Sequence, residues 1–178
     1  MNQVQPRVAP LNKWPMISRV FHWISALLLL VTWALIFLYD NTDDSFYIGL
    51  HKAFGLSLLF WMLARVISRI FTKAPPAAPM PKWQDIIAKF THFALYALLI
   101  AMPVVGLLMS VYGGRAVDMF GLFEIPGFVT PDRGLARTFN DWHTEIIWPL
   151  ILAFTAAHIG AALYHQFIQK DKLIKRMW

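Results

Sequence analysis

The sequence contains no cysteine. That excludes disulfides, thiolate-ligated clusters and covalent thioether attachment of a haem. Histidine, methionine and carboxylates are the side chains left to hold a metal or a cofactor. Charge is also scarce: Asp, Glu, Lys and Arg make up 15% of 178 residues, where soluble domains carry about 25%. Apolar residues reach 58%, above the usual figure of about 45–50%. This composition is that of a protein in contact with membrane lipid. The net charge of +6 does not point to nucleic acid, because the charge is sorted along the chain rather than spread over it.

A bilayer-spanning helix needs about 20 consecutive, mostly apolar residues. Three segments meet this without any Asp, Glu, Lys or Arg: Val20–Tyr39, Phe90–Gly114 and Ile146–Gln169. A fourth, Ile48–Phe71, holds Lys52, Arg65 and Arg69 near its ends, where long side chains snorkel to the headgroups. Between the spans lie an acidic turn (DNTDDS), a proline-rich linker (KAPPAAPMPKW) and a longer connection from Arg115 to about Asp141. Their Gly, Pro, Asp and Asn content is that of connections. The reading is an all-α membrane protein: a single membrane domain over residues 1–178, built as a four-transmembrane-helix bundle. The spans fall at about 16–39, 48–71, 88–112 and 143–169, with a loop at 113–142. The N-terminal stretch MNQVQPRVAPLNKWP is too polar for a signal peptide, and Pro15 suits a first helical turn.

Positive charge predicts the orientation. The N-terminal segment (Arg7, Lys13, Arg19), the Arg65–Lys89 region and the C-terminal KDKLIKR carry most of the 16 basic residues. The other side has Lys52, Arg115, Arg133 and Arg137 against eight acids, from Asp40 to Glu145. The positive-inside rule then makes both termini cytoplasmic and the 113–142 loop periplasmic.

All six histidines lie in or at the ends of the spans: His22, His51, His92, His143, His158 and His165. Ionisable groups in a span usually mark function, although a single imidazole in a helical bundle often only bonds a neighbouring helix. His143 and His158 are about 22 Å apart along a helix and within about 60° of one face. With the topology above, His22 pairs with His158 in the cytoplasmic half, and His51 pairs with His143 in the periplasmic half. Two stacked histidine pairs in a bundle core are what two bis-histidine b-type haems require. Bare metal ions want three or more ligands, and the cytoplasmic half offers no carboxylate within a span. Gly55, four residues after His51, leaves room on the same face for a macrocycle; Gly106 and Gly160 could serve similarly. His165 rivals His158, since seven residues return to nearly the same face. His143 and His165 would stand about 33 Å apart, a long gap for electron transfer, which favours His158. His92 and His165 then lie near the cytoplasmic interface with Arg65 and Arg69. There they suit a quinone headgroup as well as interfacial packing or haem-propionate contacts.

With these residues in hand, the chain resembles the bacterial cytochrome b561 family. The matching pieces are SRVFHW, GLHKAFGLSLLFWMLARVISRIF, HFALYALLIAMPVVGLLMS and WHTEIIWPLILAFTAAHIGAALYHQF, covering nearly everything from Ile17 to Phe167. The resemblance implies an inner-membrane protein with two haems b. It implies His22 and His158 as axial ligands on the cytoplasmic side, and His51 and His143 on the periplasmic side. It further implies superoxide oxidation, with electrons delivered to ubiquinone and His92 and His165 on the quinone side. The acidic periplasmic segments depart from what an anionic substrate favours, unless Lys52, Arg133 and Arg137 gather into a local positive entry. The alternative is an electron-transfer subunit that links a dehydrogenase or a periplasmic redox protein to the quinone pool; an acidic face would speed docking of such a partner.

Overall fold

The computed structural model describes residues 12–178; Arg7, one of the basic residues used for the orientation, lies outside the described residues. Four long apolar helical stretches run through it, each of a length and composition that crosses a membrane: Met16–Thr42, Ser45–Phe71, Lys82–Tyr112 and Arg133–Gln169. The first three are α1, α2 and α3. The fourth begins as α4 (Arg133–Asp141), passes through a π-helical stretch (Trp142–Ile147), continues as α5 (Trp148–Tyr164) and ends in a second π stretch (His165–Gln169). A short 3₁₀ turn, Leu173–Met177, closes the chain.

The boundaries follow local chemistry. Pro15 stands immediately before α1, where a missing N–H costs no helical bond. Asp43 ends α1 in the left-handed region at φ 53. Asp44 caps α2, its carboxylate accepting from the Phe46 N–H at 2.9 Å. A two-residue connection between helices of 27 residues each forces them antiparallel, and α1 packs along α2. The helices α2 and α3 are joined through the proline-rich linker, and α3 packs against both α4 and α5.

The 113–142 connection is more ordered than its composition predicts. Val117–Asp118 (β1) and Glu124–Ile125 (β2) pair antiparallel. They are joined through Phe120 and Gly121, both at positive φ, as a tight hairpin turn requires. Val117 and Met119 are buried in one cluster with Ala53, Leu56 and Leu59 of α2. The last third of the connection is helix α4. Asp132 makes that possible: its Oδ1 accepts from the Gly134 and Leu135 N–H groups at 2.8 and 3.0 Å. Polar residues hid this helix, because α4 is amphipathic and extends the fourth span beyond its apolar stretch.

The main core joins Leu58 and Met62 of α2, Leu99 and Val105 of α3, and Ile147 and Ile151 of the fourth span. Most other large apolar side chains are exposed, among them Leu30, Phe37, Phe60, Phe93 and Ile159. That is the pattern of a bundle solvated by lipid, where close packing rather than water exclusion holds helices together.

Candidate functional site

The histidines meet in two places inside the bundle. The rings of His51 (α2) and His143 (first π stretch) stand 6.3 Å apart between centroids, with planes at 77°. The rings of His22 (α1) and His158 (α5) stand 6.1 Å apart, with planes at 79°. These are the two cross-helix pairs expected from the topology, each joining helices that are distant in sequence.

The first pair is held from behind. His51 Nδ1 is 2.9 Å from the Thr32 carbonyl of α1, and His143 Nδ1 is 3.1 Å from the Met102 carbonyl of α3. A carbonyl only accepts, so each Nδ1 carries the hydrogen. The tautomer is thereby fixed, and each Nε2 keeps its lone pair for a ligand. Met102 directly precedes Pro103, which lies inside α3. His143 sits in a π-helical stretch, whose wider i→i+5 bonding re-aims a side chain relative to the α-helical count.

A cavity of about 700 Å³ opens beside this pair. Gly55 and Gly106 line it together with His51, His143 and Thr32. At Gly55 the nearest atom a Cβ would meet is Thr32 Cγ2, at 3.9 Å. Gly106 is different, because a Cβ there would come within 3.0 Å of the His143 ring. At Gly160 an added Cβ would meet nothing within 4 Å. Lys52, Arg115 and Arg137 line the same cavity, and among the described residues Asp40 is the one acid there. Arg133, expected there from its sequence position, is not part of the lining, and Arg115 takes its place. Arg115 follows directly on the Gly113–Gly114 turn that ends α3 and swings the chain back toward the bundle. The sequence carried no signal for that return.

The second pair has further company. His92 of α3 lies 5.3 Å from His158 between ring centroids. The Arg65 guanidinium is 5.1 Å from the Tyr96 ring, one turn along α3 from His92. His165 and Arg69 stand in a different setting. His165 is buried and its Nδ1 lies 2.6 Å from Asp171 Oδ2. Arg69 lies over the Trp14 ring at 4.8 Å and donates to the Thr72 carbonyl. Asp171, the partner of His165, was missed because it follows the apolar span in a charged tail.

Among the described residues no group of three or more His, Asp or Glu side chains is placed to hold a metal ion. Each pair supplies two imidazoles, which is the axial set of a bis-histidine haem and too few for zinc.

Four spans around paired histidines define a multi-pass membrane protein of the b-cytochrome class. The chain belongs to the prokaryotic cytochrome b561 family, whose model matches residues 13–178. That family binds haem b and works in electron transfer, and the protein is accordingly a bacterial membrane cytochrome. It is 32% identical to cytochrome b561 homolog 2 of Escherichia coli (strain K12), over 93% of this chain and 91% of that one. It is 28% identical to cytochrome b561 homolog 1 of the same organism, over 94% and 97%. It is 26% identical to the probable superoxide oxidase CybB of Yersinia pestis, over 93% and 96%.

Proposed function

We propose that the protein is a di-haem b oxidoreductase that takes electrons from superoxide at one membrane face and delivers them to ubiquinone near the other. The histidine spacing carries this reading. A metal–imidazole bond of about 2.0–2.1 Å, plus about 1.1 Å from nitrogen to ring centre, separates two axial rings by about 6.3 Å. The pairs His51–His143 and His22–His158 stand at 6.3 and 6.1 Å. His92 and His158, at 5.3 Å, are too close to share an iron, so His92 is left for another task. The cavity beside His51 and His143, with glycines where side chains would intrude, accommodates a flat macrocycle.

When bound, the haems supply one-electron transfer across the bundle. His51 and His143 would hold the group on the side of the 113–142 loop, and His22 and His158 would hold the one nearer the termini. Thr32 and Met102 fix the outer imidazoles through their carbonyls, so that both present Nε2. Lys52, Arg115 and Arg137 bring positive charge to the outer cavity, where it attracts a small anion despite the acidic surroundings. At the other end His92, beside His158, offers a hydrogen bond to a quinone oxygen, and Arg65 lies in the same region over Tyr96. The basic residues at the ends of α1, α2 and the fourth span support a cytoplasmic placement of both termini in the bacterial inner membrane. The relative named as a probable superoxide oxidase supports the choice of donor.

Stopped-flow absorbance tests the reading. Oxidised protein mixed with superoxide should show rapid haem reduction, followed by reoxidation only when ubiquinone is present. Haem that stays oxidised under superoxide but is reduced by ubiquinol would overturn it. That outcome would favour the second reading, an electron-transfer subunit for a redox protein docked on the exposed acids Asp43, Asp44, Asp132, Asp141 and Glu145.

A further inference from the structure

The C-terminal segment folds back across the end of the bundle and binds three other parts of the chain. Trp23 Nε1 donates to the Met177 carbonyl at 2.8 Å, and Arg19 donates to the Trp178 backbone oxygen. Arg176 donates to the carbonyls of Asn12 and Pro76 at 3.0 and 2.5 Å. The Trp14 N–H returns a bond to the Arg176 carbonyl at 2.9 Å. This strap borders a second, open pocket, lined by Lys13, Gln166, Ile174, Lys175 and Trp178 and by none of the paired histidines.

The chemistry of that lining is unbalanced. Lys13 and Lys175 both border the pocket, and among the described residues no Asp or Glu side chain lines it and neither lysine forms an ion pair. Gln166 contributes an Oε1 that is buried without a hydrogen-bond partner. A buried acceptor left unpaired costs about 1–3 kcal/mol, so Gln166 Oε1 calls for a donor and the two ammonium groups for a negative charge. Trp178, which lines the pocket, is 67% exposed, and Phe167, the residue after Gln166, is 68% exposed.

We propose that this pocket binds the headgroup of an anionic, hydroxylated phospholipid of the phosphatidylglycerol class. The phosphate lies between the Lys13 and Lys175 ammonium groups, and a glycerol hydroxyl donates to Gln166 Oε1. The acyl chains run along the exposed apolar side chains of the fourth span. Basic pockets at the ends of membrane helices bind anionic headgroups in this way. Phosphatidylethanolamine also carries a phosphate and a donor, but its ammonium would approach two lysines. The site shares no residue with the histidine pairs, so it stands or falls apart from the proposed redox function.

Native mass spectrometry of the purified full chain, titrated separately with phosphatidylglycerol, phosphatidylethanolamine and phosphatidic acid, tests the assignment. Wild-type protein should hold phosphatidylglycerol in preference to phosphatidylethanolamine. Each lysine near an anionic surface contributes about fivefold in affinity, so K13A/K175A should weaken phosphatidylglycerol binding about 25-fold. K13R/K175R should keep most of the binding, which separates lost charge from lost fold. Gln166→Leu should weaken phosphatidylglycerol but leave phosphatidic acid, which lacks the glycerol hydroxyls, unchanged. Equal retention of phosphatidylethanolamine, or unchanged binding by K13A/K175A, would overturn the proposal. Displacement of the lipid by soluble glycerol 3-phosphate at equal concentration would also overturn it, by assigning the pocket to a soluble phosphate ester.

Discussion

Gly106 of α3 lies against His143: a Cβ at position 106 would stand 3.0 Å from Cε1 and 3.3 Å from Nδ1 of the imidazole. The same Nδ1 bonds the Met102 carbonyl one turn earlier on α3. One helix therefore fixes both the position and the tautomer of a ring carried by another.

Gly106→Ala should push the ring by a few tenths of an ångström. We expect haem content to hold while the spectrum and midpoint potential of one haem change. Gly106→Val should displace the ring outright and take haem content toward half. Pyridine haemochromogen assays against protein concentration read the first quantity, and redox titration reads the second. Full occupancy with an unchanged potential in Gly106→Val would remove His143 from the ligand set.

Each histidine pair should answer to substitution as a unit. His51→Ala and His143→Ala should lose the same haem, and the double variant should lose no more than either single one. His22→Ala and His158→Ala should lose the other. Spectra of the reduced proteins at low temperature distinguish the two losses. If His165→Ala lost a haem while His158→Ala kept both, the pairing would be wrong.

His92 contacts His158 without the spacing to share its ligand, so His92→Ala should leave haem content intact and slow ubiquinone reduction. A roughly tenfold fall in the rate corresponds to the loss of about 1.4 kcal/mol, the scale of one hydrogen bond. Unchanged quinone kinetics would exclude His92 from that site.

Charge at the outer cavity should govern encounter with superoxide. Lys52→Glu and Arg115→Glu should each slow haem reduction about tenfold at low ionic strength, with the difference shrinking as salt screens the field. Arg133→Glu should act more weakly, because Arg133 does not line the cavity. Equal effects from Arg115 and Arg133 would mean that only the net charge of the face matters.

The His165–Asp171 pair should act on stability. The imidazole is buried and the carboxylate is partly exposed, so Asp171→Asn should cost about 1 kcal/mol after solvent screening. For a chain of this size that is about 2–4 °C in Tm. Hydrogen exchange should rise in residues 172–178, where the strap begins, while haem content stays constant. Loss of haem in Asp171→Asn would instead connect His165 to the redox core.

The sequence alone determined the membrane class, the four spans and the two histidine pairings. Span length and the rarity of charge are one-dimensional properties, and the fixed rise of a helix converts sequence position into depth. That is why His22 with His158, and His51 with His143, could be paired from topology. Only the tertiary structure decided what surrounds them. Helix α4 was hidden because an amphipathic surface helix has no apolar run, and its start depends on one aspartate cap. Arg115 reaches the outer cavity through a glycine turn and a hairpin whose path depends on burying Val117 and Met119 against α2. The approach of His92 to His158, and the strap that joins Trp23, Arg19 and Pro76 to the last residues, come from contacts between segments far apart in sequence. Periodicity gives the depth and the facing of a residue on its own helix, but which side chain stands across from it is set by how the helices pack.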